Sequence, residues 1–494
     1  MKILSAQQIK DADEYAISDG SISSLALMQR AAEACYTWIV NHYNKTHLLS
    51  LFCGSGNNGA DGLVIARMLQ EAGYAVNVYI TSENGSENFK KNLSRINNAK
   101  HFSEWKQISN YNEIIVDAIF GVGLNKPVSG IFAEQIYKIN AAQKPVISVD
   151  IPSGLYADKS SFENTVINAT YSLTFQALKL AFLFAENAKY TGEIITIDIG
   201  LQSVYNDVIN SDKQITNAVD VRKIIKARGA FSHKGIFGHA MLISGSYGKM
   251  GAAVLAGTAC LRTGAGLVTI QAPACGYEIL QTSVPEAMVL ADDENIISSS
   301  LNYDKYNAVG IGPGIGTAPV TAKVLENILS VYHNPLVLDA DAINILSDNK
   351  FLLAKLPAQT ILTPHLKEFE RLAGTSQNDF ERHELQIRFS REYDCYVVLK
   401  GRYSCISTPD GNSYFNSTGN PGMAKAGTGD TLTGMITAML SQGYSSKESC
   451  IAAVYLHGLA ADIAVKDIGE HSLLATDIIK NIGRAFLYLE NQRL

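Results

Sequence analysis

Hydrophobic runs of strand length alternate with longer amphipathic stretches twice along the chain, the pattern of parallel sheets covered by helices. In the first half, runs at 47–53, 75–81, 113–120, 145–151, 171–175 and 192–199 predict strands, and 5–19, 23–43, 59–72 and 131–141 predict helices. Residues 200–220 are polar and without a strong period, so a domain boundary is expected near 205–218. The pattern restarts with 221–228 and continues through strand candidates at 239–244, 266–271, 307–311, 335–340, 360–363 and 396–400. Residues 404–408 and 413–416, joined by Thr408-Pro409-Asp410-Gly411, predict a hairpin, since proline and Asp-Gly suit a tight turn. The last block is helical. The expected fold class is α/β in two domains, 1–215 and 216–494.

Composition narrows the partners more than the chemistry. A net charge of −6 with no basic tract argues against a nucleic-acid backbone, so any phosphate is bound locally by loops. No run is read as long enough to span a bilayer, and no apolar core precedes Lys10, Asp11, Asp13 and Glu14. A cytoplasmic enzyme without membrane contact or secretory leader is expected. The seven cysteines are scattered, with no CxxC pair or zinc spacing, which predicts reduced thiols. The alanine- and leucine-rich face of 5–43 suits either a homo-oligomer contact, the expected state, or the cover of a sheet.

Residues 419–434 read GNPGMAKAGTGDTLTG, with a helix expected from 431 to 441. Gly427 and Gly429 let the backbone approach a phosphoryl group, and the amides of a helix start can hold its charge. Asp430 is then placed to take a proton from a hydroxyl nucleophile. The competing account is a loop with an aspartate N-cap. Other signals fall at strand ends of the same half, where an open parallel sheet binds ligands. The glycine loops 245–251 and 310–316 are each, alone, equally well only turns. Asp339 and Asp341 are carboxylates that burial disfavours unless they are hydrogen-bonded or near a cation. His365 and Glu368, three apart, either position substrate, water or Mg²⁺, or cap a helix. Lys400-Gly401-Arg402-Tyr403-Ser404 suits nucleotide phosphates, or presents an exposed hairpin lysine.

In the first half, CGSGNNGADG (53–62) sits at the first strand-to-helix turn, where dinucleotides commonly bind. Its glycines are formally spaced as G-x-G-x-x-G, yet two asparagines and Asp61 add polar groups that a plain pyrophosphate loop does not need. Two further strands end in Asp117, followed by 121–127 (GVGLNKP), and in Asp150, followed by Ile151-Pro152-Ser153-Gly154. Both aspartates emerge at one sheet edge. Capping of turns and helices is the alternative reading.

In that order, GSYGKMGAA, GPGIG, DADAIN, TPHLKE, LKG and NPGMAKAGTGDTLTG resemble the ribokinase-like ADP- or ATP-dependent NAD(P)H-hydrate dehydratases over about 250 residues. The resemblance implies a ribokinase-like α/β/α sandwich, with nucleotide near Lys400, Gly401, Arg402, Tyr403, Ser404 and Gly429. Hydrated nicotinamide would lie near Ala253, Gly314, His365 and Asp430, with Mg²⁺ on the phosphates. Ala426 stands where the family usually has glycine.

GSGNNGADG, DAIFGVGL and VDIPSGL likewise resemble the NAD(P)H-hydrate epimerase domain, a Rossmann-like three-layer α/β/α sandwich, over residues 1–215. The resemblance implies dinucleotide contacts from Asn57, Asn58, Gly59, Ala60, Asp61, Gly121, Val122, Gly123, Leu124, Asn125, Lys126, Pro127 and Asp150. It also implies a K⁺ site at Asn58, Asp117 and Ser153, whose oxygen donors suit a hard cation. Asp150 is the acid/base candidate and Lys126 a weaker electrostatic helper. Ala60 replaces a common glycine. Together the halves imply one bifunctional enzyme for NADH and NADPH hydrates, fed by ADP or ATP. A small-molecule alcohol kinase fused to a dinucleotide-binding domain, or a dinucleotide-sensing module without turnover, are the alternatives.

Overall fold

A computed structural model describes residues 1–491 except 21, 107–111, 202, 205–207 and 293–294. Part of the expected boundary segment therefore lies outside the described residues. Two compact units are resolved, Met1–Ser211 with Asn378–Phe380, and Asp212–Gln377 with Glu381–Leu494.

The first unit holds seven parallel strands: β1 (Leu48–Cys53), β2 (Ala75–Ile80), β3 (Lys100–His101), β4 (Glu113–Ala118), β5 (Val146–Val149), β6 (Tyr171–Phe175) and β7 (Glu193–Ile197). Their order is β3-β2-β1-β4-β5-β6-β7. Alternate residues enter different cores: Leu49, Leu51 and Val116 pack on one face, and Phe52, Ile115 and Val146 on the other. Burial on both faces is why these strands read as continuous apolar runs rather than alternating ones. The helices Ala6–Ser18 and Ser24–His42 contribute Ala12, Ala16, Ala31, Ala32 and Ile39 to the first core. Those side chains cover the sheet, so they are not free for an assembly contact.

The second unit carries β8 (Lys213–Thr216), β9 (His239–Ile243), β10 (Leu267–Pro273), β11 (Met288–Asp292), β12 (Ala308–Ile311), β13 (Leu336–Leu338), β14 (Ile361–Leu362), β15 (Tyr396–Leu399), β16 (Cys405–Ser407) and β17 (Ser413–Asn416). The order is β11-β10-β9-β12-β13-β14-β15-β16-β17-β8, antiparallel only at β15-β16-β17 among the described strands. The expected hairpin is thus present. Strand β8, unforeseen in the polar 200–220 segment, pairs in parallel with β17. The helix Ser446–Ile468 is long and apolar enough to cross a membrane, contrary to the sequence reading, but 78% of its apolar window is buried inside the unit. It is a core helix, packed through Ile451, Val454 and Leu456.

Candidate active sites

From β9 the chain runs outward through β10 to β11, and from β12 through β15 on the other side. The connections leaving β9 and β12 therefore part in opposite directions and open a crevice at the carboxyl ends of the strands. Gly245 N donates to Pro313 O at 2.8 Å, while Ser244 Oγ and Ser246 Oγ donate to Pro313 O and Gly314 O, both at 2.7 Å. Gly312 has φ +132°, and a Cβ there would stand 1.8 Å from Asp339 O, so glycine is required to close this loop over the end of β13.

Asp339 follows β13 with a buried carboxylate. Its Oδ1 accepts from Lys400 Nζ at 2.9 Å and its Oδ2 from Thr433 Oγ1 at 2.8 Å. Burial works to raise this carboxyl, but the Lys400 charge and hydrogen bonds from Lys400, Thr433 and Thr363 outweigh it and hold it below the ordinary value. The Lys400 backbone N–H donates to Pro364 O at 3.0 Å, tying the end of β15 to the segment before His365.

Helix Thr428–Ser441 starts three residues before the expected 431, after Gly427 in the left-handed region at φ +89°. Asp430 consequently lies inside the first turn, and the amides of Thr428, Gly429 and Asp430 have no intrahelical acceptor. A Cβ on Gly429 would stand 3.3 Å from Lys400 Nζ and 3.7 Å from Asp339 Oδ2, so this bare backbone lies against the ion pair. Half-buried Asp430 is pushed up to about 6, by burial first and then by Asp339 and Asp341, with Lys400 opposing. Asp341 itself accepts from Gly316 N at 2.8 Å and faces Lys249 Nζ at 3.5 Å. A carboxyl that titrates near neutrality beside a helix start can take a proton and remain close to developing negative charge.

His365 and Glu368 form a capping box: His365 N donates to Glu368 Oε2 at 2.8 Å, and Glu368 N to His365 Nδ1 at 3.2 Å. Gly401 and Ser404 bond each other, and Arg402 donates to Gly419 O at 2.6 Å. Behind the helix start lies His457, a residue the sequence reading missed. It is buried with a backbone hydrogen bond to Thr428, and its Nε2 has no partner. Burial, then the Lys400 charge, pushes it down to about 4.

In the first unit the direction of travel reverses between β1 and β4. A Cβ on Gly54 would stand 2.0 Å from Ile119 O, and one on Gly59 1.6 Å from Gly54 O, so the two loops nest backbone on backbone. Helix Asn57–Glu71 begins after Gly56 with no side-chain cap. Its second residue, Asn58, has a buried Nδ2 without a partner. Asp117 is fully buried and accepts from Ser148 Oγ and Ser153 N at 2.8 Å, Ser153 Oγ at 2.5 Å and Ile119 N at 3.2 Å. Burial raises its carboxyl more than these bonds lower it.

Asp150 adopts φ +70°, and its N–H donates to Leu173 O at 2.7 Å. Its Oδ2 accepts from Val122 N at 3.2 Å, and its Oδ1 pairs with Lys179 Nζ at 2.6 Å. A Cβ on Gly121 would stand 3.2 Å from Asp150 Oδ2 and 3.3 Å from Asn58 Cβ, so this glycine keeps the gap between them open. Asp61 is raised by burial, then by Asp150 and Asp13. Lys126, the expected electrostatic helper, is exposed, and the cation that reaches Asp150 is Lys179. Its signal was a lone charge in the otherwise apolar QALKLAFLF, residues 176–184.

Each unit contains a segment that matches a described family. Residues 240–484 match the family profile described as NAD(P)H-hydrate dehydratase, and 24–181 that of the YjeF-related protein N-terminus. The bifunctional NAD(P)H-hydrate repair enzyme Nnr of Moorella thermoacetica is 32% identical over 519 residues, covering 100% of this chain and 98% of that protein. The chain belongs to the bifunctional NAD(P)H-hydrate repair enzyme family. The family member from Coxiella burnetii is 33% identical over 489 residues, covering 96% of this chain and 97% of its own. Among solved structures, an ADP/ATP-dependent NAD(P)H-hydrate dehydratase from Bacillus subtilis, co-crystallised with ATP and Mg²⁺, superposes with TM-score 0.51 and 32% identity, covering 56% of this chain and 98% of its own. A ribokinase-like superfamily protein from Enterococcus faecalis gives TM-score 0.50 and 27% identity over 58% of this chain and 98% of its own.

Proposed function

We propose that the second unit, within 216–494, dehydrates the S epimer of NAD(P)H hydrate at the expense of ADP or ATP, and that the first, within 1–215, interconverts the R and S epimers. The observation that carries the dehydratase reading is Asp430, raised to about 6 in the first turn of Thr428–Ser441 beside the Lys400–Asp339 pair. Hydroxide is a poor leaving group, so water does not readily depart from the hydrated ring. Asp430 accepts the ring hydroxyl proton as that oxygen attacks the terminal phosphorus, and the amides of Thr428 to Asp430 hold the charge that spreads over the phosphoryl oxygens. The resulting ester expels phosphate, pushed by the ring-nitrogen lone pair, and loss of a proton from the adjacent ring carbon restores the ring double bond, so AMP (or ADP), phosphate and NAD(P)H remain. Lys400, Gly401, Arg402, Tyr403, Ser404 and Gly429 are assigned to nucleotide, and Ala253, Gly314, His365 and Asp430 to the hydrated ring. The Bacillus subtilis neighbour, co-crystallised with ATP and Mg²⁺, supports nucleotide use.

Asp339 accepts from Lys400 and Thr433, and Asp341 accepts from Gly316 N and faces Lys249, whereas Asp430 has no ion pair among the described residues. That donor set fits Mg²⁺ carried in on the phosphates rather than an all-protein cage, since no group of three possible metal-holding side chains occurs among the described residues. Mg²⁺ would neutralise phosphate charge there. In the first unit, Asp117 is buried with hydrogen bonds but no salt bridge among the described residues. Asn58, Asp117 and Ser153 fit K⁺, which would offset the buried charge. Asn57 to Asp61 and Gly121 to Pro127 then cradle the dinucleotide, with Asp150 as acid/base for inversion at the hydrated carbon.

The test is separation of activities in the full chain. Asp430→Asn is expected to abolish dehydration and spare epimerisation, and Asp150→Asn to do the reverse. Equal loss of both activities in either variant contradicts two separate sites.

A further inference from the structure

Lys179 is wholly buried, yet no role follows for it from the motifs of either loop. Its ammonium donates to Asp150 Oδ1 and Thr174 Oγ1, both at 2.6 Å, with Phe175 O farther off at 3.5 Å. The chain curls back to place it there: Gln176, at φ +50°, ends β6, and Ala177 N donates to Phe175 O at 2.7 Å. Asp150 is itself held in the left-handed region, which a carboxylate residue adopts only where its surroundings define it. A leucine or methionine would fit the apolar run 176–184 without the desolvation that a buried ammonium requires.

We infer that Lys179 is a positioning residue for the epimerase reaction: it locks Oδ1 of Asp150 and so aims Oδ2 past Val122 N at the dinucleotide loop 121–127. One carboxylate oxygen is tied down from beneath the sheet edge, and the other is presented with its lone pairs toward the gap kept open by Gly121. Lys179 does not touch substrate in this arrangement. The inference rests on the reading of Asp150 as the acid/base.

Epimerisation is measured alone by giving the full-length protein one purified hydrate epimer without nucleotide, and the ADP-driven rate of the same sample monitors the other unit. Lys179→Met is expected to lower the epimerase kcat about 100-fold or more with KM within about threefold, because general acid–base catalysis is worth roughly 10²–10⁴. The dehydratase rate should be unchanged. Propylammonium should restore at least about tenfold to Lys179→Ala by supplying the missing cation in the vacated space. A Lys179→Met kcat within about threefold of wild type, with Asp150→Asn inactive, overturns the inference and leaves the reading of Asp150 standing. An active Asp150→Asn overturns that reading instead. Should Lys179→Met not fold, the amine decides: recovery in Lys179→Ala supports positioning, and no recovery at saturating amine refutes it.

Discussion

Replacing Asp339 by asparagine tests how the dehydratase base is tuned. Asp430 is raised from an ordinary 3.8 to about 6, a preference for the neutral acid of roughly 3 kcal/mol at ~1.4 kcal/mol per unit. Burial is the largest cause and survives the substitution. The Asp339 charge is the second, and its removal also frees the Lys400 charge, so both changes favour the Asp430 carboxylate. The Asp430 value should fall by about one unit. Since the ionised form is the base, kcat/KM rises with pH through that value. At pH 5 wild type should show about 10% of its plateau, and Asp339→Asn about 50% of its own lower plateau, from the same titration arithmetic. The assay follows recovery of reduced-nicotinamide absorbance from the S epimer with saturating nucleotide between pH 4.5 and 8. An acid limb that stays put, or moves upward, would refute the electrostatic account of Asp430.

Gly429→Ala places a methyl 3.3 Å from Lys400 Nζ, so the KM for nucleotide should rise about tenfold with epimerisation intact; an unchanged KM means the backbone does not meet phosphate there. Asp117→Asn removes the buried charge and an acceptor for several donors, at about 1–3 kcal/mol of first-unit stability. Exchanging K⁺ for a bulky organic cation should lower the thermal midpoint of wild type but not of this variant. His383 and His457 are pushed from 6.5 down to about 4, chiefly by burial, so the unfolded chain binds protons between those values that the folded chain refuses. The two rings therefore contribute a loss of stability as pH drops from about 6.5 to about 4, at most roughly 3 kcal/mol each, while the raised carboxyls of Asp61, Asp117 and Asp430 work in the opposite sense. Denaturant midpoints over that range should slope less in His457→Gln than in wild type; equal slopes contradict a neutral buried imidazole.

The fold was legible because strands buried on both faces declare themselves as apolar runs. Three strands did not: Lys100–His101 has only two residues, too few to show a pattern. Lys213–Thr216 is a short polar edge strand whose partner lies some 200 residues away in sequence, and Met288–Asp292 is an edge strand that leaves Met288 and Leu290 exposed. The Asp430 helix was placed three residues late because nothing local announces that Gly427 adopts left-handed φ. Glycine loops and strand-end aspartates were readable, since parallel topology brings them to one edge. Lys179, Thr433 and His457 were not: each lies in an otherwise apolar or helical stretch, and only tertiary packing aims it at a carboxylate or a helix start.

The central claim is that phosphoryl transfer creates the leaving group. It is tested most directly by counting phosphate released and NAD(P)H recovered from one pool of S hydrate, with and without ADP or ATP. The account predicts one phosphate for each coenzyme restored and no recovery above the spontaneous rate without nucleotide. Recovery at full rate with no nucleotide cleaved would contradict it.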